Sequence, residues 1–438
     1  MKNYLRETGC PCGKSHTVAV DEVVVGSGVI RRIPEFVEKY GAKRPFILAD
    51  VHTFAAAGQQ VCAVLDAAGI SYSRYVFPQT ELEPDEHAVG AAIMHFDTKC
   101  DLIIGIGSGV INDIGKIVSN VSGRKYIIVG TAPSMDGYAS ATSSMSLDNL
   151  KTSLSSRCAD VIIGDTDILK KAPAHMLKAG LGDMLAKYVS IAEWRIAHII
   201  TGEYYCEEVA QLIRGALKKC VDNAAGLLKR EDAAIEAVFE GLVIGGVAMA
   251  YAGVSRPASG VEHYFSHVWD MRGLEFGTRV DLHGIQCAMA TMSAVKLYEY
   301  VAAHQPNPAK ARAYVENFDY SAWSAELRAF LGAAADTMIA LEAKEGKYDK
   351  RTHEARLNLI LENWENILQI LREELPSAAR LTEIMDTIGI STDLNTLGVD
   401  SACAKQTFRA TKDIRDKYVL SRLAWDLGIL EELADLLN

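Results

Sequence analysis

The sequence predicts an α/β half with a parallel, Rossmann-like sheet followed by an all-helical half, and three observations predict it. Up to about residue 165, short and nearly continuous apolar runs alternate with amphipathic stretches, the pattern of strands buried on both faces between covering helices. From Ile168 onward strand signal fades and apolar residues recur at helical spacing. Only three of the eleven prolines, Pro257, Pro306 and Pro308, fall between Leu181 and Glu374, so helices there run with few interruptions. The boundary is expected near Asp167–Pro173, giving a first domain over 1–167 and a second over 168–438.

In chain order, strands are expected at Val23–Val25, Pro45–Ala49, Arg74–Phe77, Leu102–Ile106, Tyr126–Val129 and Val161–Ile163, with helices over Val51–Ala68 and Asp85–Phe96 between them. Ligands of such a sheet sit beyond the carboxyl ends of its strands. The second half carries helical patterns over Leu185–Ile199, Glu207–Leu228, Ala233–Tyr251, Ala309–Asn317, Arg356–Glu374 and Lys412–Leu437. The stretch Gly241–Ser255 lacks Asp, Glu, Lys, Arg and His but contains four glycines. It falls short of the roughly 18 apolar residues of a membrane span and reads as a buried helix.

At 438 residues the chain has room for two large domains and a cleft. Its net charge of −11 repels phosphate backbones over most of the surface, which argues against nucleic acid or an anionic membrane as partner. A small anion held in a local pocket is compatible with it. Nine cysteines, an odd number and mostly scattered singly, suit reduced thiols better than a disulfide framework. With an opening Met1–Gly9 that lacks the apolar core of a signal peptide, they point to the cytoplasm.

The segment Asp101–Lys116 is a strand running into a helix through Gly105, Gly107 and Gly109. Glycines there allow close backbone approach, and free N–H groups at a helix start favour a pyrophosphate. The spacing is G-x-G-x-G, not the G-x-G-x-x-G fingerprint, so a purely structural turn stays open. Asn112, Asp113 and Lys116 just beyond favour a phosphate cradle. Asp50 closes an earlier strand, where a carboxylate can accept from ribose hydroxyls and favour NAD over NADP, or can cap the following helix. The loop after the Lys125–Gly130 run is rich in hydroxyls and holds one carboxylate, Asp136, which favours ligand contact.

A carboxylate and three histidines suggest a metal centre. Asp183 is read in a glycine-containing turn entering a helix, where capping is its plainest role. His263 and His267, four apart, share a helix face, and His283 follows twenty positions after His263. An imidazole pair plus one carboxylate suits a catalytic divalent metal with open positions, and buried, hydrogen-bonded core histidines are the competing reading. Near the start, Cys10, Cys12 and His16 supply three metal-type ligands with no obvious fourth, and a structural turn is preferred there over zinc.

Taken in order, Gly-Ile-Gly-Ser-Gly with Asn-Asp and Lys, Thr-Ala-Pro-Ser-Met-Asp-Gly, Gly-Leu-Gly-Asp, Glu-His-Tyr-Phe-Ser-His and Leu-His-Gly resemble the iron-containing alcohol dehydrogenase, glycerol dehydrogenase and dehydroquinate synthase-like superfamily. Cys10–His16 and Ser255–Gly260 look like its branch acting on sn-glycerol 1-phosphate. The similarity spans roughly Cys10 to Ala290. It implies an enzyme interconverting dihydroxyacetone phosphate and sn-glycerol 1-phosphate with NAD(H), NADP being possible, and one divalent ion, zinc, nickel or iron. Asp183, His263 and His283 would bind the metal. Gly107, Ser108, Gly109 and Asp113 would face the cofactor phosphates, Asp50 the ribose, and Thr131 and Ser134 the nicotinamide side. Asp136 would orient a substrate hydroxyl, and His267 would shuttle a proton as an imidazole titrating near neutral pH. Arg256 or Lys116 would meet the substrate phosphate. A homodimer or larger homo-oligomer follows by analogy. The alternatives are a polyol dehydrogenase on an unphosphorylated substrate, a dehydroquinate synthase-like lyase, which typically carries glutamate at the position of Asp183, and a non-catalytic metabolite-binding protein.

Overall fold

Six strands form one parallel sheet in a computed structural model that describes residues 8–147 and 150–437; the chain start read for a signal peptide lies outside them through residue 7. The strands are β3 (Glu22–Gly26), β4 (Pro45–Asp50), β5 (Ser73–Phe77), β6 (Leu102–Gly107), β7 (Lys125–Gly130) and β10 (Val161–Asp165), and each expected strand lies within one of them. Two smaller pairs complete the set, β1 (Thr8–Gly9) with β2 (Ser15–His16) and β8 (Thr142–Leu147) with β9 (Leu150–Ser155). The β8–β9 hairpin was not expected, because its serines and threonines lack the apolar alternation that marks a strand.

Sheet order is β3-β10-β7-β6-β4-β5. The chain adds β5 on one side of β4 and then places β6 on the other side, so growth of the sheet reverses between β4 and β6. Ligands of open parallel sheets bind at such a reversal, beyond the carboxyl ends of the strands. Here those ends are Asp50 and Gly107. Every residue of β6 is buried, which is why its sequence reads as a continuous apolar run. On one face Ile47, Ile104, Ile127 and Ile163 pack with Phe36, Val37, Val61 and Leu65 of the covering helices. Each such fully buried side chain contributes about 1.5–3 kcal/mol.

Contacts group the chain into two compact units, one running to Met184 and including Glu208–Val254, the other comprising Leu185–Glu207 and Ser255 onward. Within the first, helix Asp232–Ala252 is long and apolar enough to cross a membrane by length and composition, yet most of it is buried in the protein. Phe239 of this helix fills the space over Gly130 and Gly164, where a Cβ would come within 2.8 and 2.3 Å of its ring.

Among the described residues, the chain after Asp165 forms helices and no strand. In the second unit, Arg356–Glu374 is two helices, Lys350–Glu362 and Trp364–Glu374, broken at Asn363. The single helix expected over Lys412–Leu437 is also corrected. Helix Ser401–Thr411 ends before it, and Leu420–Asp426 and Leu430–Asp435 follow. Residues 412–419 are irregular because Asp413 takes tertiary hydrogen bonds from Trp323 Nε1 at 2.9 Å and the Tyr348 hydroxyl at 2.5 Å. Gly428, with φ at +68°, separates the last two helices.

Candidate active site

In the sheet unit, β6 passes through Ser108 into helix Gly109–Ser122. A Cβ on Gly107 would lie 2.5 Å from that of Ile111, and one on Gly105 2.4 Å from the Tyr126 hydroxyl, so both glycines serve close packing of the turn. No side chain caps this helix. Ser108 Oγ instead meets Ser134 Oγ at 2.6 Å, and the first intrahelical bond is Asn112 N–H to Ser108 O. The N–H groups of Gly109, Val110 and Ile111 precede that bond, an anion-binding arrangement. Asn112 Oδ1 is buried without a hydrogen-bond partner among the described residues. The N–H groups at the helix start fit a dinucleotide phosphate at the reversal point of the sheet, whereas the Asn112 oxygen, an acceptor, calls for a donor.

Asn112 Nδ2 and Lys116 Nζ both donate to the carbonyl of Gly137, and Lys116 also donates to Thr142 O at 2.6 Å and pairs with Asp113 at 2.8 Å. Lys116 is fully buried, so its ammonium clamps the 131–142 loop to the helix. That corrects its reading as a substrate-phosphate ligand: its charge is already matched by Asp113, which is likewise committed to an ion pair rather than standing open to the cofactor. Thr131 N–H bonds Gly107 O, which fixes the start of the loop. Asp50 adopts the capping alternative, its Oδ1 accepting from His52 and Thr53 N–H while Thr53 returns a bond to its backbone.

Residues 179–183 are helical throughout, within Ala174–Leu185, so Asp183 lies in a last turn and caps nothing. A Cβ on Gly180 would lie 1.8 Å from the Pro133 carbonyl oxygen, so this helix and the loop touch backbone to backbone. That approach lets Asp136 N–H donate to Asp183 Oδ2 at 2.9 Å. Gly245 allows a similar approach from helix Asp232–Ala252, where a Cβ would meet that of Asp136 at 3.1 Å. Asp183 is completely buried, and a buried carboxylate demands donors or a cation.

In the helical unit, Gly260 precedes helix Val261–Phe276, and a Cβ there would lie 2.6 Å from Glu193 Oε2 and 2.7 Å from Glu262 Oε2. Glu193 accepts the N–H of Val261, fixing the helix start, and burial pushes its carboxyl up to about 8. Glu262 Oε1 accepts from Gly260 N–H and lies 2.8 Å from His263 Nδ1. A carboxylate on the far nitrogen orients an imidazole and strengthens it as a metal ligand. His283 opens helix His283–Ala303, with Nδ1 3.0 Å from Ser266 Oγ, which Gln286 also bonds. The His263 and His283 rings lie 4.9 Å apart between centroids. Cys287, one turn after His283, brings Sγ to 3.5 Å from His283 Nε2. Two oriented imidazoles gathered with a thiol fit a divalent cation.

His267 is half-buried, with its ring centroid 6.1 Å from that of His283. Burial, then Arg415 and the two neighbouring histidines, hold its pKa well below the ordinary value. That favours the neutral imidazole, against the expected titration near neutrality. Arg256 is corrected as well. It is buried, its NH1 donates to Tyr418 O at 3.0 Å, and its other nitrogens pair with Glu203, NH2 at 2.7 Å. A guanidinium so neutralised ties down the chain and is spent as a phosphate ligand.

Four residues escaped sequence reasoning. Glu262 and Cys287 carried a signal, adjacency to one histidine and i,i+4 spacing from another. Arg415 and Lys417 carried none, because their segment reads as helix. Burial, then Arg256, pushes the half-buried Lys417 ammonium down to about 7, and it donates to Ser259 O at 2.8 Å.

A family model described as iron-containing alcohol dehydrogenase matches residues 24–173. The chain is 33% identical over 294 residues to the glycerol-1-phosphate dehydrogenase (NAD(P)+) of Halalkalibacterium halodurans, spanning 66% of this chain and 74% of that protein. Against the enzyme of the same name from Geobacillus thermodenitrificans it is 27% identical over 403 residues, 91% of each. Among solved structures, glycerol dehydrogenase from Schizosaccharomyces pombe has a TM-score of 0.61 at 16% identity, covering 95% of this chain and 90% of that one. A probable glycerol dehydrogenase from Sinorhizobium meliloti gives 0.59 at 16%, covering 95% and 98%. These two similarities concern the fold.

Proposed function

The chain belongs to the family of the glycerol-1-phosphate dehydrogenases (NAD(P)+), and on that premise we propose that it interconverts dihydroxyacetone phosphate and sn-glycerol 1-phosphate with a nicotinamide dinucleotide and one divalent metal ion. It is an oxidoreductase. The observation that carries the reading is the pair His263 and His283, each ring held through Nδ1 by a neighbour, Glu262 or Ser266, with Cys287 beside them. Asp183 is the proposed carboxylate ligand, to be joined by these two imidazoles. Residues 1–167 are assigned to the dinucleotide and 168–438 to metal and substrate.

Held by Asp183, His263 and His283, a divalent metal would lower the cost of negative charge on a substrate oxygen, and a bound nicotinamide would supply the hydride chemistry. The chain's own groups bind and orient. Gly107, Ser108 and Gly109 offer backbone N–H groups to the pyrophosphate at an uncapped helix start, and Asp50, whose Oδ1 holds the helix cap, would turn Oδ2 to the ribose. Thr131 and Ser134 line the nicotinamide side. The Asp136 amide aims the Asp183 carboxylate, and its side chain orients the second substrate hydroxyl. Neutral His267 has a ring lone pair with which to take a proton and return it to solvent. Lys417 and Arg415 replace Arg256 and Lys116 as our candidates for the substrate phosphate, because the latter pair are already neutralised. Nine cysteines, an odd number and mostly scattered singly, support a reducing, cytoplasmic setting, and a homodimer is proposed by analogy with the family.

A second reading, a polyol dehydrogenase acting on an unphosphorylated substrate, draws on that same loss of the two expected phosphate ligands. NADH oxidation with dihydroxyacetone phosphate against dihydroxyacetone, across zinc, nickel and iron, separates the two. A marked preference for the phosphorylated ketone is expected, and equal rates on both would remove the phosphate from the proposal.

A further inference from the structure

The first described residues form a short hairpin. Strands β1 and β2 contribute two residues each, Thr8 opposite His16 and Gly9 opposite Ser15. The turn between them closes with Gly13 N–H on Cys10 O at 3.0 Å, Gly13 taking a left-handed φ of +80°. From Thr8 to Thr17 the sequence has no Leu, Ile, Val, Met or aromatic residue except His16. A two-stranded ribbon of this size, without an apolar face, is not stable in water by itself.

Three ligand-type side chains converge on this hairpin. Cys12 Sγ lies 3.4 Å from His16 Nε2, and the ligand atoms of Cys10, Cys12 and His16 all lie within 4.8 Å of one another. Zinc–nitrogen bonds of about 2.0–2.1 Å and zinc–sulfur bonds of about 2.3 Å at tetrahedral angles put N and S about 3.5 Å apart. The His16 ring is 2% exposed and fixed from behind. Its Nδ1 is 3.0 Å from the carbonyl oxygen of Tyr251, and the ring stacks on Tyr251 with centroids 5.3 Å apart. A carbonyl on Nδ1 sets the tautomer that turns the Nε2 lone pair toward the two sulfurs, the outer-shell contact usual for a metal-bound histidine.

We propose that Cys10, Cys12 and His16 bind a structural zinc ion, separate from the metal proposed for catalysis, that clips this hairpin to the end of helix Asp232–Ala252. Both thiols bind as thiolates, so binding releases their two protons to solvent and changes no oxidation state. A fourth donor completes the tetrahedron. Sequence spacing alone favoured a plain turn; the fixed His16 ring and the convergence of both sulfurs reverse that preference.

The test begins with Asp183→Ala, which removes a proposed ligand of the catalytic metal. The purified variant is expected to retain about one zinc ion per chain by elemental mass spectrometry, and adding Cys12→Ser is expected to abolish that zinc. Zinc-edge X-ray absorption on Asp183→Ala should show at least two sulfur neighbours and one imidazole. Among the described residues the His263–His283 pair gathers with one cysteine, Cys287, so two sulfurs point away from metal left at that site. Should the double variant fail to fold, the absorption result still decides. Zinc-free Asp183→Ala, or a coordination shell of nitrogen and oxygen alone, would overturn the proposal without touching the dehydrogenase reading.

Discussion

Gly180→Ala tests whether the sheet unit aims Asp183 by backbone contact. A Cβ at this position would lie 1.8 Å from the Pro133 carbonyl oxygen, whereas real Cβ contacts essentially never fall below 3.0 Å. Either the helix or the loop must therefore move by about 1.2 Å, the difference between those two values. Both partners are backbone, so no side-chain rotation relieves the clash. The displacement is comparable to the slack in the 2.9 Å bond from Asp136 N–H to Asp183 Oδ2, which it should break. Overpacking of this kind costs about 1–3 kcal/mol of stability. Misplacing a catalytic group by ~1 Å costs about 100-fold in rate, or about 2.7 kcal/mol at 1.36 per tenfold.

The expected outcome is a kcat/KM reduced about 100-fold with weakened metal retention, assayed well below the melting temperature so that the folded fraction stays near unity. Gly90→Ala is the matched control. It too is a helical glycine, within Glu86–Met94, but a Cβ there meets nothing within 4 Å. That substitution should leave activity unchanged and add up to about 1 kcal/mol of stability. Native kcat/KM and metal content in Gly180→Ala would refute the argument that this close approach positions the ligand.

Three further predictions follow from the helical unit. Glu262→Gln should weaken metal binding about 10–100-fold by removing the carboxylate from His263 Nδ1, read by competition with a chelator, and unchanged affinity would deny Glu262 that role. With its pKa pushed down from 10.5 to about 7, Lys417 loses its charge as pH rises through that value. The KM for the phosphorylated ketone should then climb above pH 7 while that for dihydroxyacetone stays flat, and Lys417→Arg should flatten the first curve; parallel curves for both substrates would exclude Lys417 from the phosphate. Arg256→Met should act on stability, costing about 2 kcal/mol through loss of its bonds to Glu203 and Tyr418 O. A raised KM for the phosphorylated ketone at unchanged melting temperature would restore Arg256 to the substrate.

The six sheet strands were legible because strands buried on both faces must be apolar throughout, and Leu102–Gly107 or Val161–Asp165 can hardly be read otherwise. The β8–β9 hairpin was not, since its hydroxyl-bearing residues satisfy each other locally, as Ser143 with Ser156 and Ser140 with Thr142, without an apolar rhythm. At the candidate site, residue types and order were legible and partners were not. Lys116 and Arg256 looked like anion ligands because a sequence displays a charge and conceals what neutralises it. Asp183 looked like a cap because two glycines flank Leu181; one of them, Gly180, serves a contact with Pro133, which lies 47 positions earlier in the chain and has no local trace. Residues 412–419 hid Lys417 for a similar reason: the hydrogen bonds that unwind the segment come from Trp323 and Tyr348.

A chain of net charge −11 that handles a small phosphate must keep some positive charge unspent. In the helical unit most inward-facing cations are spent. Arg256 is matched by Glu203, Arg356 by both oxygens of Asp426, and Arg195 by Glu373 and Glu374. Lys417 Nζ donates to a backbone carbonyl, as Lys187 Nζ does to Ala258 O, and burial first, then Arg256 and Arg415, lower its pKa, while Glu262 and Glu193 favour its charge. Arg415 likewise helps hold His267 neutral. Burial without a carboxylate bonded to Nζ makes the ammonium costly in the ligand-free protein, a cost that an arriving anion would offset. Differential stabilisation of this sort binds a phosphate more tightly than the same lysine would if it already had a carboxylate partner.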